Sequence, residues 1–193
     1  MNCVARPLTA AALALLLTLD AAGAAAAAPA LLPAQSEISF VSRQMGVPVA
    51  GRFHRFDAQV NFDPSHPQAS RFTVGVDVGS VEMPTDDATQ ELTRPAWFDA
   101  PRFPRAVFES SAVRLLERGR YEVSGRLLIK GHALEVVVPI ALEQVGGVTF
   151  ASGSLVVHRL AFSIGEGEWA DTSLVDDGVQ IRFRLALAGI GPI

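Results

Sequence analysis

Apolar and polar residues alternate along most of the chain beyond Gln35. In EISF, Ile38 and Phe40 share one face. FDAQVNF sets Phe56, Ala58, Val60 and Phe62 against Asp57, Gln59 and Asn61, and RFTVGVDV repeats the pattern with Phe72, Val74, Val76 and Val78. YEVSGRLLIK sets Tyr121, Val123, Leu127 and Ile129 against Glu122, Ser124, Arg126 and Lys130. LEVVVPIALE aligns Leu134, Val136, Val138, Ile140 and Leu142; VQIRFRLAL sets Val179, Ile181, Phe183, Leu185 and Leu187 against Gln180, Arg182 and Arg184. A period of two means strands with one dry and one wet face. AVFESSAVRL and VTFASGSLVV read as less regular strands, which brings the number to about eight. In GRFHRFD the parity slips between Phe53 and Phe56, which predicts a β-bulge with His54 at the kink.

The links are short and rich in turn residues: Asp63 to Pro67, Arg118-Gly119, Gly131-His132 and Gly146-Gly147. Short links between alternating strands mean antiparallel neighbours. No helix is long enough to carry a parallel crossover. A single short helix is predicted over Thr85–Thr93, after Pro84, with Asp86 and Asp87 in its first turn and Pro95 beyond its end. The fold class is therefore all-β, with one short helix in a long connection. Eight such strands can close into a barrel or pack as a sandwich, and closure removes the exposed edges. A barrel of that size can be filled by its own side chains or can hold one small ligand. The inward set is mostly Val, Ala, Leu and Ile, which leans towards a cavity.

Residues 1–30 have a different character. Arg6 precedes a short apolar run, Ala10–Leu19, which is followed by an alanine tract ending at Ala28, Pro29 and Ala30. Charged, apolar and small-residue regions in that order are the layout of a secretory signal peptide, and the run is too short to span a bilayer. Residues 31–193 are then the barrel domain. The one cysteine of the 193-residue chain, Cys3, precedes the apolar run, whereas a lipid-modified cysteine would follow it. The exported chain would carry no thiol, hence no disulfide and no cysteine nucleophile or ligand. A net charge of −4, with no basic stretch interleaved with aromatics, points away from nucleic acid.

The chemistry-bearing residues are sparse. His54, His66, His132 and His158 are not at metal-ligand spacing from one another. There is no G-x-S-x-G elbow and no phosphate loop. FSIGEGEWADTS, residues 162–173, carries Glu166 and Glu168 beside Trp169. A glycosidase needs two carboxylates facing each other across a bond, and nothing around this pair supplies sugar-binding aromatics. The stretch reads as a loop with solvated acids and a tryptophan folded onto the barrel. No catalytic residue and no metal site are assigned.

Five stretches together are similar to the YceI-like family of exported, lipocalin-like barrels: SEISFVSRQMGVPVAGRFHRFDAQVNFDP, VDVGSVEM, PAWFDAPRFPRAVFESSAV, YEVSGRLLIKGHALEVVVPI and RLAFSIGEGEWADTSLVDDGVQIRF. The resemblance implies an eight-stranded antiparallel lipocalin-like β-barrel, located in the periplasm. Its long apolar pore would hold an isoprenoid quinone or a polyprenyl lipid as ligand, with no other cofactor. The candidate pore residues are Phe40, Phe53, Phe56, Val74, Val76, Trp97, Phe98, Phe108, Leu127, Val136, Val138, Phe162 and Trp169. Many members have a histidine where this chain has Ser42-Arg43-Gln44, and Arg-Asp-x-His-Leu in the helix where it has Asp87 and then Glu91-Leu92, which puts the head-group preference in question. QMGVPV and IGEGEWADTS resemble a branch found beside b-type membrane cytochromes, so the rival reading is a filled barrel that docks on such a redox complex. A monomer and a homodimer are both open.

Cleavage is expected between Ala22 and Leu32. N-terminal sequencing of the protein from a periplasmic extract should find a first residue in that window, and a chain beginning at Met1 there would contradict the assignment.

Overall fold

The computed structural model describes residues 29–193. The leader expected over residues 1–30 lies outside the described residues except for Pro29 and Ala30. Eleven strands and one α-helix follow in chain order. The strands are β1 (Ala30–Leu31), β2 (Glu37–Gln44), β3 (Val47–Phe53), β4 (Phe56–Asn61), β5 (Arg71–Asp77), β6 (Val81–Glu82), β7 (Arg105–Glu117), β8 (Arg120–Ile129), β9 (His132–Val145), β10 (Val148–His158) and β11 (Gly178–Ala188). The helix α1 (Asp86–Thr93) lies between β6 and β7, with the Thr85 side chain accepting from the Ala88 N–H as its N-cap.

The sheet runs β1-β4-β5-β7-β8-β9-β10-β11, and β1 pairs with β11 as well as β4, so eight antiparallel strands close a barrel. The closing strand is two residues long. Ala30 lies opposite both Ala188 and Gln59, and Leu31 lies opposite Leu187. Ala30 is thus part of the barrel wall, one residue before the boundary drawn from the alanine tract. Higher on the barrel, β2 takes over the free edge of β11 with Phe40 opposite Ile181. The β2, β3 and β6 strands then extend the wall towards α1.

Alternation was a sound guide to the faces where the register runs unbroken, and two departures have local causes. The parity slip at GRFHRFD is a break between two strands rather than a bulge within one. Ser80 captures the bend: its carbonyl accepts from the His54 N–H and its hydroxyl from the Arg55 N–H at 2.9 Å. This frees β3 to pair with β2 and β6 while β4 pairs with β5. The irregular AVFESSAVRL contains a true register shift between Ser110 and Ala112. One extra residue exchanges the faces, so Phe108 before it and Val113 after it both line the lumen.

Two-residue turns of type I′ need positive φ at both central positions, and their twist matches that of the strands. Lys130-Gly131, between β8 and β9, has φ of 47° and 80°. This places the turn one residue earlier than the link read from sequence and fixes the direction of the Lys130 side chain.

The inward residues line a hollow rather than filling it. Around one end, near β1, pack Phe62, Val113, Tyr121, Val123, Leu187 and Ile190. At the other end Trp97, Val157, Phe162, Ile164 and Val175 form a second cluster under α1 and the segments 94–104 and 159–177.

Val138 is 4% exposed on the inner face and Glu135 lies on the outer face. Val138→Asp should cost about 3 kcal/mol or more by burying an unpaired carboxyl group, whereas Glu135→Ala should stay within about 0.5 kcal/mol of the parent. Denaturant midpoints check both, and equal shifts would contradict the assignment of faces.

Candidate functional site

The lumen is a single cavity of about 580 Å³, within the range of roughly 300–1,000 Å³ typical of small-molecule sites. It runs from Ile190 and Leu187 at the β1 end to Asp87, Ala88 and Glu91 on α1. Asp87 is exposed and is also part of the cavity wall, so the cavity reaches the surface beside α1. The walls are mainly aliphatic and aromatic. The polar side chains among them are Ser42, Gln44, Asp87 and Glu91 towards the α1 end, Arg159 beneath it, and Tyr121 and Thr149 towards the far end.

Aromatic rings lie flat on this wall because glycines stand beneath them. A Cβ on Gly51 would collide with the Phe40 ring, one on Gly125 with Phe108, and one on Gly153 with Phe183. Each missing side chain lets a ring rest on the sheet instead of crossing the lumen. The space stays open for that reason, and its lining is smooth and apolar.

Of the thirteen residues expected in the pore, Phe40, Phe53, Val74, Val76, Trp97, Phe98, Phe108, Leu127, Val138 and Trp169 line the cavity. Three lie elsewhere. Phe56, the first residue of β4, sits in a separate shallow depression with Pro33, Glu37 and Arg52, because the break at His54 diverts the chain there. Val136 faces Gly125 across the β8–β9 ladder, where the Phe108 ring covers the inner surface. Phe162 is 2% exposed and packs behind Trp97 and Ile164, outside the lumen, since the chain has left β10 for a 3-10 turn by that residue.

The passage FSIGEGEWADTS forms the rim of the α1 end, and an arginine invisible to strand periodicity organises it. Arg159 is 2% exposed and gives every guanidinium N–H to a backbone carbonyl. Nε donates to Asp176 at 3.0 Å, Nη1 to Ile164 at 2.9 Å and Gly165 at 3.2 Å, and Nη2 to Trp169 at 2.7 Å and Val175 at 2.6 Å. Burial pulls its pKa below the usual arginine range and Asp177 counters this; the group remains a cation. Gly165 has φ of 79°, and a Cβ there would strike the Arg159 guanidinium, so the glycine is required twice over. The guanidinium also lies 5.8 Å from the Trp97 ring, which packs against Trp169 at 5.5 Å between centroids. The Trp97 Nε1–H is buried without an acceptor.

A second cation pins the same end. The Lys130 ammonium donates to the Pro95 carbonyl at 2.8 Å, the Ser163 carbonyl at 2.6 Å and a Glu166 carboxylate oxygen at 2.8 Å. It thereby joins the β8–β9 turn to both covering segments. Parity had placed Lys130 in solvent; its side chain is 7% exposed. The sequence did hold a signal, since this is the one lysine among sixteen basic residues. An ammonium presents three converging donors where a guanidinium offers a flat fork. Glu166 and Glu168 accordingly differ. Glu166 is held by Lys130, whose hydrogen bond and charge lower its pKa, while Glu168 is exposed. Both acids are exposed, as expected, but Glu166 is also tied down by the Lys130 ion pair.

The histidines lie apart from the lumen. His54 pairs with Glu82 at the outer bend, His66 with Asp63 at 3.0 Å and His158 with Asp177 at 2.8 Å. His132 is exposed beside the Lys130-Gly131 turn.

Comparison with known proteins points one way. The family model described as the YceI-like domain matches residues 30–187. A UPF0312 protein of Vibrio cholerae is 28% identical over 157 residues, covering 76% of this chain and 83% of that protein. The crystal structure of BcnA from Burkholderia cenocepacia has 40% identity and a TM-score of 0.78, covering 81% of this chain and 98% of that one. A polyisoprenoid binding domain from Saccharophagus degradans shares the fold at 16% identity, with a TM-score of 0.68 over 84% of this chain and 98% of that one.

The Lys130–Glu166 pair predicts an acid limb of stability. A carboxylate whose pKa is lowered on folding stabilises fully above its unfolded value, about pH 4.3, and loses that contribution as pH falls through the depressed folded value. Glu166→Gln should reduce the loss of stability below about pH 4.3. Thermal melts from pH 7 to pH 3 measure this.

Proposed function

Because the chain belongs to the YceI-like domain family, we propose that it binds a long-tailed isoprenoid amphiphile in its lumen and carries it in the periplasm, with an isoprenoid quinone as the first candidate ligand. The observation that carries this reading is the cavity itself: about 580 Å³, walled chiefly by apolar side chains and open beside α1. The Saccharophagus degradans domain of the same fold, described as polyisoprenoid binding, supports the choice of tail.

The energetics favour a long tail. Moving a methylene from water to a dry wall is worth about 0.8 kcal/mol, hence about 4 kcal/mol for a five-carbon isoprene unit. Association costs roughly 4–15 kcal/mol in lost freedom. One unit barely offsets that cost, whereas several exceed it without help from polar contacts. Membership of a family that includes a polyisoprenoid binding domain supports binding over catalysis, and Glu166, held by Lys130, is not part of the cavity wall. A hollow lumen weighs against the rival reading of a filled barrel; a membrane b-type cytochrome would, on the present reading, be a partner in ligand exchange.

Trp97 and Trp169 both line the cavity and serve as reporters. Titrating delipidated protein with a long-chain quinone should quench tryptophan emission to saturation, and a quinone with a one-unit tail should bind at least about 100-fold more weakly. Equal affinities would mean that the head group governs binding, contrary to the proposal. Organic extraction of freshly purified protein followed by mass spectrometry should recover a polyprenyl compound.

A further inference from the structure

Resting on the reading of the lumen as a tail-binding site, we propose that the site selects by head-group charge: it accepts uncharged, hydrogen-bonding heads such as an alcohol or a quinol and discriminates against prenyl phosphates.

The argument starts from the two buried cations at the open end. A phosphate held in a site of low dielectric needs donors that are not already engaged. Arg159 is the cation in the cavity wall, and a guanidinium has five N–H donors. All five go to the carbonyls of Asp176, Ile164, Gly165, Trp169 and Val175. An ammonium has three, and Lys130 gives its three to Pro95, Ser163 and Glu166. Both charges are therefore consumed in holding the rim together, and an anion could recruit either only by dismantling it.

The remaining charges at the opening are of the wrong sign for a phosphate. Asp87 and Glu91 both line the cavity from α1. Asp87 forms no ion pair among the described residues; Glu91 is paired with Arg94 at 2.8 Å, and that exposed arginine lies outside the cavity wall. Arg43 is exposed on the outer face of β2 and donates to the Gly46 carbonyl. Gln44 and Ser42 complete the polar surface inside the opening. Carboxylates accept hydrogen bonds from a hydroxyl and repel a phosphate, and an amide and a hydroxyl can serve a neutral oxygen. The α1 end thus offers acceptors and neutral dipoles, with no free cation in the wall.

The test holds the tail constant. Solanesol and solanesyl phosphate are titrated by calorimetry into the delipidated protein, both delivered from the same neutral detergent. The alcohol should bind at least about tenfold more tightly than the phosphate. Added salt should narrow the gap, because exposed charges are screened over about a Debye length. Asp87→Asn combined with Glu91→Gln should narrow it further by strengthening phosphate binding, with circular dichroism confirming the fold. Phosphate affinity equal to or above that of the alcohol would overturn the charge selection while leaving tail binding intact. Failure of both ligands to bind would instead overturn the reading of the lumen, and this inference with it.

Discussion

The open end of this barrel depends on one guanidinium. Arg159 leaves β10 and is wrapped by the five carbonyls of residues 164–176, which have few other partners. A loop of that length, with little regular structure, would otherwise leave buried carbonyls unsatisfied at about 1–3 kcal/mol each. The same arginine sets the position of Gly165 and lies against Trp97, which packs on Trp169. Lys130 extends the scheme from the β8–β9 turn to Pro95 and Ser163. Two saturated cations therefore hold a rim around an apolar lumen, and the rim needs no core of its own.

The lumen stays open for a complementary reason. Glycines at 51, 125 and 153 let the rings of Phe40, Phe108 and Phe183 lie along the wall. Larger residues there would push the aromatics across the barrel and convert a container into a core. The fold thus concentrates its dense packing in clusters at the two ends, around Phe62 and Tyr121 at one and around Trp97 and Phe162 at the other. Between them lies a surface that favours any sufficiently long hydrocarbon chain. Such a site can be strong without being specific along its length, which leaves discrimination to the polar groups beside α1.

Much of the fold was legible in the chain because a strand's faces are decided by its nearest neighbours. Val74, Val76, Val138 and Ile181 obeyed alternation, and all line the lumen. The helix, expected over Thr85–Thr93 and observed over Asp86–Thr93, was readable from its first-turn acids and its flanking prolines. What failed to show was decided by contacts distant in sequence. Ser80 captures Arg55 from 25 residues away, and His54 with it, turning a parity slip into a break between strands. Lys130 is a polar residue at a strand end, where alternation predicts solvent, yet the covering segments bury it, and the five carbonyls that hold Arg159 come from a loop without periodicity. Phe162 had the composition of a pore residue, but its place in a 3-10 turn takes it out of the lumen.

The central claim is that an apolar lumen, and not the head group, supplies most of the affinity. Calorimetric titration at several temperatures, with quinones sharing one head and differing in tail length, measures it directly, because buried apolar surface appears as a negative heat-capacity change. The account predicts a heat-capacity change that grows more negative with each added isoprene unit until the tail fills the barrel, then levels off. A value that is small and independent of tail length would contradict it.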